Sequence, residues 1–462
     1  GIEAHRAVLA GPRPGKAFGL VQPSPGPSAD PMHSVDPVLA PPDPRLLSRL
    51  GAQRAIRLGV LPWRRCGSQT VILAESATLF QAHEEELTKA LGPVRLALSN
   101  RPAIRNALSR LAGGDLVARA ETLAPIEESC RGWRTTTARK WVIASAIAFT
   151  LLLWISPVAS AFVLLGLAML ALLLGMALKL AALILSFRVA PTTSRPCTAS
   201  VSVLPPVVSL LVPLFREAEI AEHLLRRLAR ISYPADRLDI CLILERDDEV
   251  TRATLARTEL PANVQVISVP KGTLQTKPRA LNYALDFASG SIIGVYDAED
   301  APAPDQIARV VRHFAERGPR VACLQGVLDF YNPGKNWISR CFTLEYAAWF
   351  RLILPALQRM GLVVPLGGTT LFLRREAIEA VGGWDAHNVT EDADLGVRLA
   401  RHGYVTELID STTMEEANAR PWRWVRQRSR WLKGYAMTYA VHMNRPGRLW
   451  RDLGAWRFAG IQ

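Results

Sequence analysis

The stretch that decides the fold runs from Ser291 to Asp300 and reads SIIGVYDAED. Its apolar run, residues 292–296, ends abruptly in three carboxylates, Asp297, Glu299 and Asp300. A short β-branched run that is bounded by breakers predicts a buried strand. Ligands of open α/β sheets sit outside the carboxyl ends of the strands. A hard cation that bridges carboxylates to a diphosphate would offset such clustered charge. The alternative is an acidic turn that only caps a helix starting at about Asp305.

Residues 205–410 alternate between strand and helix patterns, which predicts right-handed βαβ units and a mainly parallel sheet. The predicted strands are Val207–Phe215, Leu238–Leu244, Val264–Val269, Ile292–Tyr296, Val321–Gln325 and Tyr404–Ile409. Predicted helices separate the first four strands, at Ile220–Ala229, Thr251–Thr258 and Pro278–Ala288.

Charged motifs follow the ends of the first four predicted strands, so they share one rim of the predicted sheet. In chain order they are Val212–Glu217, Glu245–Asp248, Lys277–Arg279 with Asn282 one turn later, and Asp297–Asp300. Two further motifs, Thr390–Asp392 and Gln427–Trp431, come later in the chain. A metal ion, Lys277 and Arg430 would supply positive charge for a diphosphate at this rim.

The region from about Val207 to Trp431 resembles the family 2 glycosyltransferases of GT-A fold, specifically the membrane-bound synthases related to cellulose synthase. The resemblance rests on three motifs in this order: a D-x-D-like motif at Asp297–Glu299, T-E-D at Thr390–Asp392 and Q-x-x-R-W at Gln427–Trp431. It implies a UDP-sugar donor, an inverting reaction, a Mg²⁺ or Mn²⁺ ion and a growing exopolysaccharide as acceptor.

The resemblance also implies roles for individual residues. The donor-binding set is Glu217, Glu245, Asp247, Asp248, Lys277, Asp297, Gln427 and Arg430. The metal pair is Asp297 and Glu299. The family more often has aspartate at the second position, so Asp300 is a further candidate metal ligand. The acceptor-binding set is Gly367, Gly368, Thr369, Glu391 and Trp431.

Asp392 is the implied general base. A purely structural interpretation stays open, in which Thr390 caps a helix running to His402 and the two acids only favour its dipole. The arginine and tryptophan run after Arg420 has a second interpretation too, as an amphipathic helix in the membrane interface. The glycine pair can equally be an ordinary turn.

The rest of the 462-residue chain divides into three parts. Residues 1–45 are rich in proline, glycine and alanine, which predicts a disordered tail. Residues 46–125 predict a small α/β module, with helices at residues 46–58, 79–91 and 103–111 and strands at residues 70–73 and 94–98. This module resembles the N-terminal domain of type II secretion ATPases. Some relatives of that domain bind cyclic dinucleotides, but no ligand motif stands out here, so a docking role is favoured.

Residues 138–188 are apolar, apart from a break near Ser156-Pro157, and predict two transmembrane helices. Basic residues on both flanks, including Arg131 and Arg188, predict a hairpin with both ends in the cytoplasm of a bacterium. Residues 205–415 then form the GT-A domain, and residues 416–462 an interfacial segment. Synthases of this type usually have further membrane helices, so two alternatives are expected: the sequence is part of a longer chain, or partner subunits supply those helices.

Composition excludes several other functions. The net charge of +14 favours phosphate-bearing partners. The six cysteines show no C-x-x-C pair, which argues against a zinc module or a disulfide framework. No G-x-x-x-x-G-K-[ST] loop is present, so an ATPase is excluded. The alternatives to an exopolysaccharide synthase are transfer to a lipid-linked acceptor and a non-catalytic membrane subunit; a nucleic-acid binder explains neither the hairpin nor the acids.

Overall fold

A computed structural model describes residues 35–132, 135–187, 204–217 and 220–462. A small N-terminal α/β module comes first, then two apolar helices and a larger α/β domain. The elements of the module are α1 (Pro44–Leu50), α2 (Ala52–Leu58), β1 (Val60–Cys66), β2 (Gln69–Ala74), α3 (Ala77–Leu91), β3 (Val94–Leu98) and α4 (Arg101–Thr122).

The module forms a three-stranded sheet in the order β1-β2-β3. Strand β1 has no counterpart in the sequence prediction, because Pro62 and the arginines at its end interrupt the strand pattern. The single helix predicted over residues 46–58 is two helices, since Gly51 has a φ of +88° and ends α1. Helix α4 extends to Thr122, well past its predicted end at Leu111.

The proline-rich segment is structured where it can be described. Residues 1–34 of the predicted disordered tail lie outside the described residues. Residues 35–45 differ from the prediction, because the Val35 N–H donates to the Leu98 carbonyl at 2.8 Å. The Trp63 indole also donates to the Ala40 carbonyl at 2.7 Å. These partners lie in the module, and composition alone does not reveal them.

The apolar helices are α5 (Thr135–Ile155) and α6 (Pro157–Phe187), and they meet at Ser156 as predicted. Within the described residues, α6 alone is long and apolar enough to cross a membrane, with a mean hydropathy of 2.6. The apolar part of α5, Ile143–Ile155, is shorter. The last turns of α6 pack on the α/β domain, where Ala182 is buried and the Leu185 carbonyl accepts from Arg359 at 3.1 Å. The hairpin with two crossings stays a prediction.

The larger domain is built on eight strands. They are β4 (Val208–Leu214), β5 (Leu238–Glu245), β6 (Val264–Val269), β7 (Ile292–Val295), β8 (Ala301–Pro302), β9 (Val321–Phe330), β10 (Leu371–Arg374) and β11 (Val405–Glu415). The helices are α7 (Ile220–Leu228), α8 (Glu249–Ala256), α9 (Lys277–Phe287), α10 (Gln306–Glu316), α11 (Trp337–Ala348), α12 (Leu354–Arg359), α13 (Arg375–Ala380), α14 (Glu391–Arg401), α15 (Pro421–His442) and α16 (Pro446–Ile461). A π-helical turn, Trp349–Ile353, joins α11 to α12.

The strand order is β6-β5-β4-β7-β10-β9-β11-β8. The pairs among β6, β5, β4 and β7 are parallel, and so is the pair of β9 with β11. Strand β10 runs against both β7 and β9, so those two strands point the same way. The carboxyl ends of β4, β5, β6, β7, β9 and β11 therefore lie on one rim. The predicted mainly parallel α/β sheet is confirmed.

Three features of this sheet differ from the sequence prediction. The antiparallel strand β10 was not predicted, because its four residues give too short a pattern. Strands β9 and β11 continue to Phe330 and Glu415, beyond their predicted ends at Gln325 and Ile409. The second half of β11 is polar and shifts register between Leu408 and Thr412, which hides it from a hydrophobic pattern.

The N-terminal module packs directly against the larger domain, and one hydrophobic core runs through both. Ser109 on α4 lies 2.9 Å from the Tyr283 hydroxyl on α9. Arg119 on α4 donates to Asp286, which is 7% exposed, at 3.0 Å, and Gln53 donates to the same carboxylate at 2.9 Å. The docking therefore uses buried apolar contact together with paired charge.

We expect Arg119→Ala to lower the free energy of unfolding by about 1–3 kcal/mol, because a buried carboxylate loses its charged partner. Burial raises the pKa of Asp286, and Arg119 opposes that rise. Without Arg119 the folded state binds this proton more tightly still, so the loss of stability should grow as pH rises. Thermal unfolding at pH 4.5 and pH 7.5 measures both effects.

Arg110→Ala is the matched control, because Arg110 is exposed on the same helix and its guanidinium donates only to the Asn106 carbonyl one turn away. Equal destabilisation by the two substitutions, or a loss for Arg119→Ala that does not depend on pH, would show that the Asp286 pair does not hold the module.

Candidate active site

The rim of the sheet brings a lysine against the first of the acids. Lys277 begins α9, and its ammonium donates to Asp297 Oδ1 at 2.5 Å and to the Gly368 carbonyl at 2.9 Å. Burial alone lowers the pKa of Lys277, but nearby carboxylates, with Asp297 first, outweigh it and raise that pKa above its ordinary value. The ammonium is therefore charged, and it joins three predicted site segments at one point.

Asp300 is the next carboxyl beyond the Lys277–Asp297 pair. The Asp300 carboxyl accepts from the Asp297 N–H at 2.7 Å and from the Thr369 hydroxyl. Burial, followed by the charge of Asp297, raises the pKa of Asp300 well above its ordinary value. Asp300 is 1% exposed, so it supports the loop that carries Asp297.

Glu415 is a site residue that the sequence analysis missed. It ends β11 at the same rim, and burial and the charges of Asp300 and Asp297 raise its pKa well above its ordinary value. The usable signal was a pair of acids, Glu415 and Glu416, at the end of a strand. That signal was lost because the predicted strand ended at Ile409.

The T-E-D segment faces the lysine from the other side. A methyl group at Gly368 would lie 3.3 Å from Asp392 Oδ2 and 4.0 Å from Lys277 Nζ. Burial raises the pKa of Asp392, and the Ala393 N–H, which donates to Oδ1 at 2.8 Å, opposes the rise. Burial and the charge of Asp392 raise the pKa of Glu391 to about 7. Two carboxyls with strengthened basicity thus border the same space.

The T-E-D segment begins helix α14, as the helix-cap interpretation expects, but the hydrogen bond of a helix cap is not formed. Thr390 occupies the N-cap of α14, yet its side chain makes no capping hydrogen bond. Its hydroxyl lies 3.5 Å from Thr438 of α15 instead, and a methyl group at Gly434 would come within 2.4 Å of Thr390. Close packing of α15 thereby fixes the start of α14. Tyr435, also on α15, has a pKa raised to about 12 by burial and by the charge of Asp392.

The acids after β5 have different surroundings. Glu245 is buried and pairs with Arg279 at 2.5 Å. Asp248 is buried too and caps α8, accepting from Thr251 N–H at 3.1 Å and from the Arg216 N–H at 2.7 Å. Asp247 is exposed and accepts from Gln275 at 3.1 Å. Of these three carboxylates, Asp247 has the most open surroundings for a nucleotide.

Glu217 lies in the loop after β4, where its N–H donates to the Thr251 hydroxyl at 2.9 Å. Burial and the charge of Asp248 raise the pKa of the Glu217 carboxyl. Glu299 has a pKa raised by burial and by Asp297, and the charge of Glu217 adds to that rise. The loops after β4 and β7 are therefore close enough for their acids to interact.

The Q-x-x-R-W residues lie on the first half of α15. Gln427 accepts from the Asn418 amide at 3.0 Å. Trp431 packs on Phe342, with 6.2 Å between ring centroids, and Arg428 stacks over its ring. Arg430 is exposed and makes no hydrogen bond or ion pair with any residue that the structure describes. The structure thus gives Gln427 and Trp431 packing partners and leaves the Arg430 guanidinium open.

The glycine pair serves close packing. The Gly367 N–H donates to Gln325 at 2.8 Å, and a methyl group at Gly367 would lie 2.9 Å from the Phe350 ring. Gly368 presents its carbonyl to Lys277. Neither glycine has a positive φ, so space and not backbone conformation requires glycine here. The segment Gly367–Thr369 therefore contacts Lys277 and Asp300 and lies beside Asp392.

The carboxylates fit a hard cation in their chemistry, although no group of three or more potential ligands is arranged around a metal position within the described ranges. Asp300 Oδ1 and Glu415 Oε1 are buried and have no hydrogen-bond partner. Carboxylate oxygens are the ligands that Mg²⁺ and Mn²⁺ prefer. Burial raises the pKa values of Glu299, Asp300 and Glu415, and the charge of Asp297 adds to each rise.

Residues 205–434 match the family model described as glycosyltransferase like family 2. The chain is 30% identical over 253 residues to a beta-monoglucosyldiacylglycerol synthase of Synechocystis sp., which covers 52% of this chain and 50% of the relative. It is 23% identical over 240 residues to glucomannan 4-beta-mannosyltransferase 7 of Arabidopsis thaliana, covering 50% of this chain and 43% of that protein. The chain thus spans about half the length of the curated relatives it matches.

Among solved structures, the chain is similar to a mannosyltransferase of Pyrobaculum calidifontis in complex with GDP-Man and Mn²⁺. The TM-score is 0.43 at 21% identity, and the match covers 62% of this chain and 84% of the mannosyltransferase. The family match and the strand order agree with each other: the rim described above belongs to a GT-A fold. Residues 205–434 therefore form a domain of the glycosyltransferase family 2 type.

Proposed function

We propose that this glycosyltransferase moves a sugar from a nucleotide donor, a UDP-sugar by the sequence resemblance, to an acceptor at the cytoplasmic face of a bacterial inner membrane. One observation carries the proposal: Lys277 touches both Asp297 and Gly368, and Gly368 lies against Asp392. Groups suited to the diphosphate and groups suited to the acceptor hydroxyl therefore border one space.

The proposed reaction is a direct displacement with inversion at the anomeric carbon. Asp392 takes the proton of the attacking hydroxyl, and its raised pKa makes it a stronger base than an ordinary aspartate. Lys277 and Arg430 place positive charge at the departing diphosphate. Asp297 and Glu299 would hold Mg²⁺ or Mn²⁺, which supplies further positive charge when bound. Glu217, Glu245, Asp247 and Asp248 form the wall on the nucleotide side, in which Asp247 makes the contact.

The proposed acceptor is a growing exopolysaccharide, with Glu391, Gly367, Thr369 and Trp431 beside it. A glycolipid acceptor is the second candidate, favoured by the similarity to a diacylglycerol glucosyltransferase. The exposed aromatic side chains Trp337, Trp422 and Trp456 would place either acceptor near the lipid headgroups. Further subunits are proposed to complete a channel if the product is a polymer.

The full chain in native membranes should transfer label from one of UDP-glucose, UDP-GlcNAc or GDP-mannose. Asp297→Asn should abolish that transfer, because Lys277 loses its carboxylate partner and the proposed metal ion loses a ligand, and EDTA should do the same. Chromatography of the product separates a polymer from a glycolipid. Activity of Asp297→Asn equal to the parent, or full activity in EDTA, would contradict the proposed donor site.

A second prediction concerns the membrane. Cys66 is exposed on the N-terminal module, so in intact cells it should resist a membrane-impermeant thiol reagent and react after permeabilisation. In the Cys66→Ser background, Ser156→Cys at the junction of α5 and α6 should react from outside. Labelling of Cys66 in intact cells, or protection of Ser156→Cys, would refute the proposed hairpin.

A third prediction separates the two acids of the T-E-D segment. Asp392→Asn should lower kcat by about 10²–10⁴-fold and leave the donor KM nearly unchanged, because a base acts in the transition state. Glu391→Gln is the matched control and should retain far more turnover. Initial rates and donor KM for both variants are the measurement.

The pH profile gives an independent check on the same assignment. A base must be deprotonated, so activity should fall as pH drops through its pKa. The pKa of Asp392 is raised from the ordinary aspartate value, whereas that of Glu391 is about 7. If Glu391→Gln loses more turnover than Asp392→Asn and removes an acid limb near pH 7, Glu391 is the base.

A further inference from the structure

The carboxylate of Glu121 reaches from the N-terminal module into the loop that leads to Lys277. Glu121 is 8% exposed and lies one residue before the end of α4. Its carboxylate accepts from Thr273 N–H at 2.7 Å, from Leu274 N–H at 3.0 Å and from the Thr273 hydroxyl at 2.5 Å. Residues 270–276 form the loop that joins β6 to α9. Thr273 and Leu274, at the centre of this loop, are thus hydrogen-bonded to α4 of the N-terminal module.

The same carboxylate also faces the chain beyond Lys277. Arg279, which is fully buried, has Nη1 at 3.9 Å from Glu121 Oε1. A methyl group at Gly272 would come within 2.6 Å of Glu121, Arg279 and Val117. The loop therefore lies so tightly on α4 that only glycine fits at that position.

These contacts have a consequence for donor binding. Lys277 follows the bonded segment by three residues, and Gln275 between them donates to Asp247 at 3.1 Å. Burial alone would raise the pKa of Glu121, but the hydrogen bonds from Thr273 and Leu274 outweigh burial and lower it. Glu121 is therefore ionised, and charge-assisted hydrogen bonds of this type are stronger than neutral ones.

We infer that Glu121 is a positioning residue for the nucleotide-sugar site, through which the N-terminal module holds Lys277 and Gln275 in place. The inference rests on the proposed function, in which Lys277 binds the donor diphosphate. The geometry of the donor site then depends on the docking of α4, so the N-terminal module contributes to donor binding. A displacement of α4 would loosen the loop and lower donor affinity.

The test uses the full chain in detergent, with UDP and GDP, each with Mg²⁺, as calorimetric probes. Glu121→Ala should weaken nucleotide affinity about tenfold, the loss expected for charge-assisted hydrogen bonds. Hydrogen exchange of residues 271–276 should become faster. Glu121→Gln keeps an acceptor oxygen and should fall between Glu121→Ala and the parent, and it serves if Glu121→Ala fails to fold. Asp115→Ala, an exposed carboxylate on the same helix, should change neither quantity.

A double-mutant cycle distinguishes positioning from general stabilisation. If Glu121 acts through Lys277, its substitution should change nucleotide affinity by less than about twofold in the Lys277→Ala background, because coupled residues are not additive. Full additivity, or unchanged affinity for Glu121→Ala while Lys277→Ala binds weakly, would overturn the inference. If Lys277→Ala binds normally, the proposed donor site is wrong, and the exchange rates of residues 271–276 still decide whether Glu121 holds the loop.

Discussion

The contact of the Lys277 ammonium with Asp297 and the Gly368 carbonyl is the constraint on which the rim depends. Six strands bring their carboxyl ends to one edge, and acids cluster there. Such charge destabilises a fold unless a cation offsets it. One lysine does so for Asp297, yet Asp300 and Glu415 keep raised pKa values. These buried carboxyls are costly to the fold, and under the proposed function a metal ion that arrives with the donor would offset part of that cost.

Part of this rim could be predicted from the sequence, because the acids at the ends of β5 and β7 closely follow apolar runs. The T-E-D segment follows no strand, and its motif alone pointed to it. This prediction fails where the hydrophobic pattern does not reveal the strand. The polar second half of β11 kept Glu415 out of the predicted site, and the shortness of β10 hid the strand that follows Gly368. Sequence order also cannot separate a carboxylate that meets ligand from one that serves the fold. Glu245 pairs with Arg279 inside the protein, whereas Asp247 two residues later faces solvent.

The N-terminal module shows a second limit. Most of its helices and strands follow from local patterns, although β1 and the second half of α4 do not. Its position does not follow from such patterns, because the residues that dock it lie far apart in the chain. Arg119 meets Asp286, and Glu121 meets Thr273. In the sequence these are ordinary polar residues on a helix and in a loop. Only the folded chain shows that one hydrophobic core is shared, and therefore that the module and the GT-A domain act as a single packed body.

The start of α14, which carries the T-E-D segment, and helix α15 also depend on each other through close packing. A methyl group at Gly434 would overlap Thr390, so α15 can approach α14 only because residue 434 is glycine. That approach carries Tyr435 towards Asp392, and it also sets the direction in which α15 presents Trp422 to solvent. The position of the proposed base and that of the exposed Trp422 side chain thus depend on one helix–helix contact.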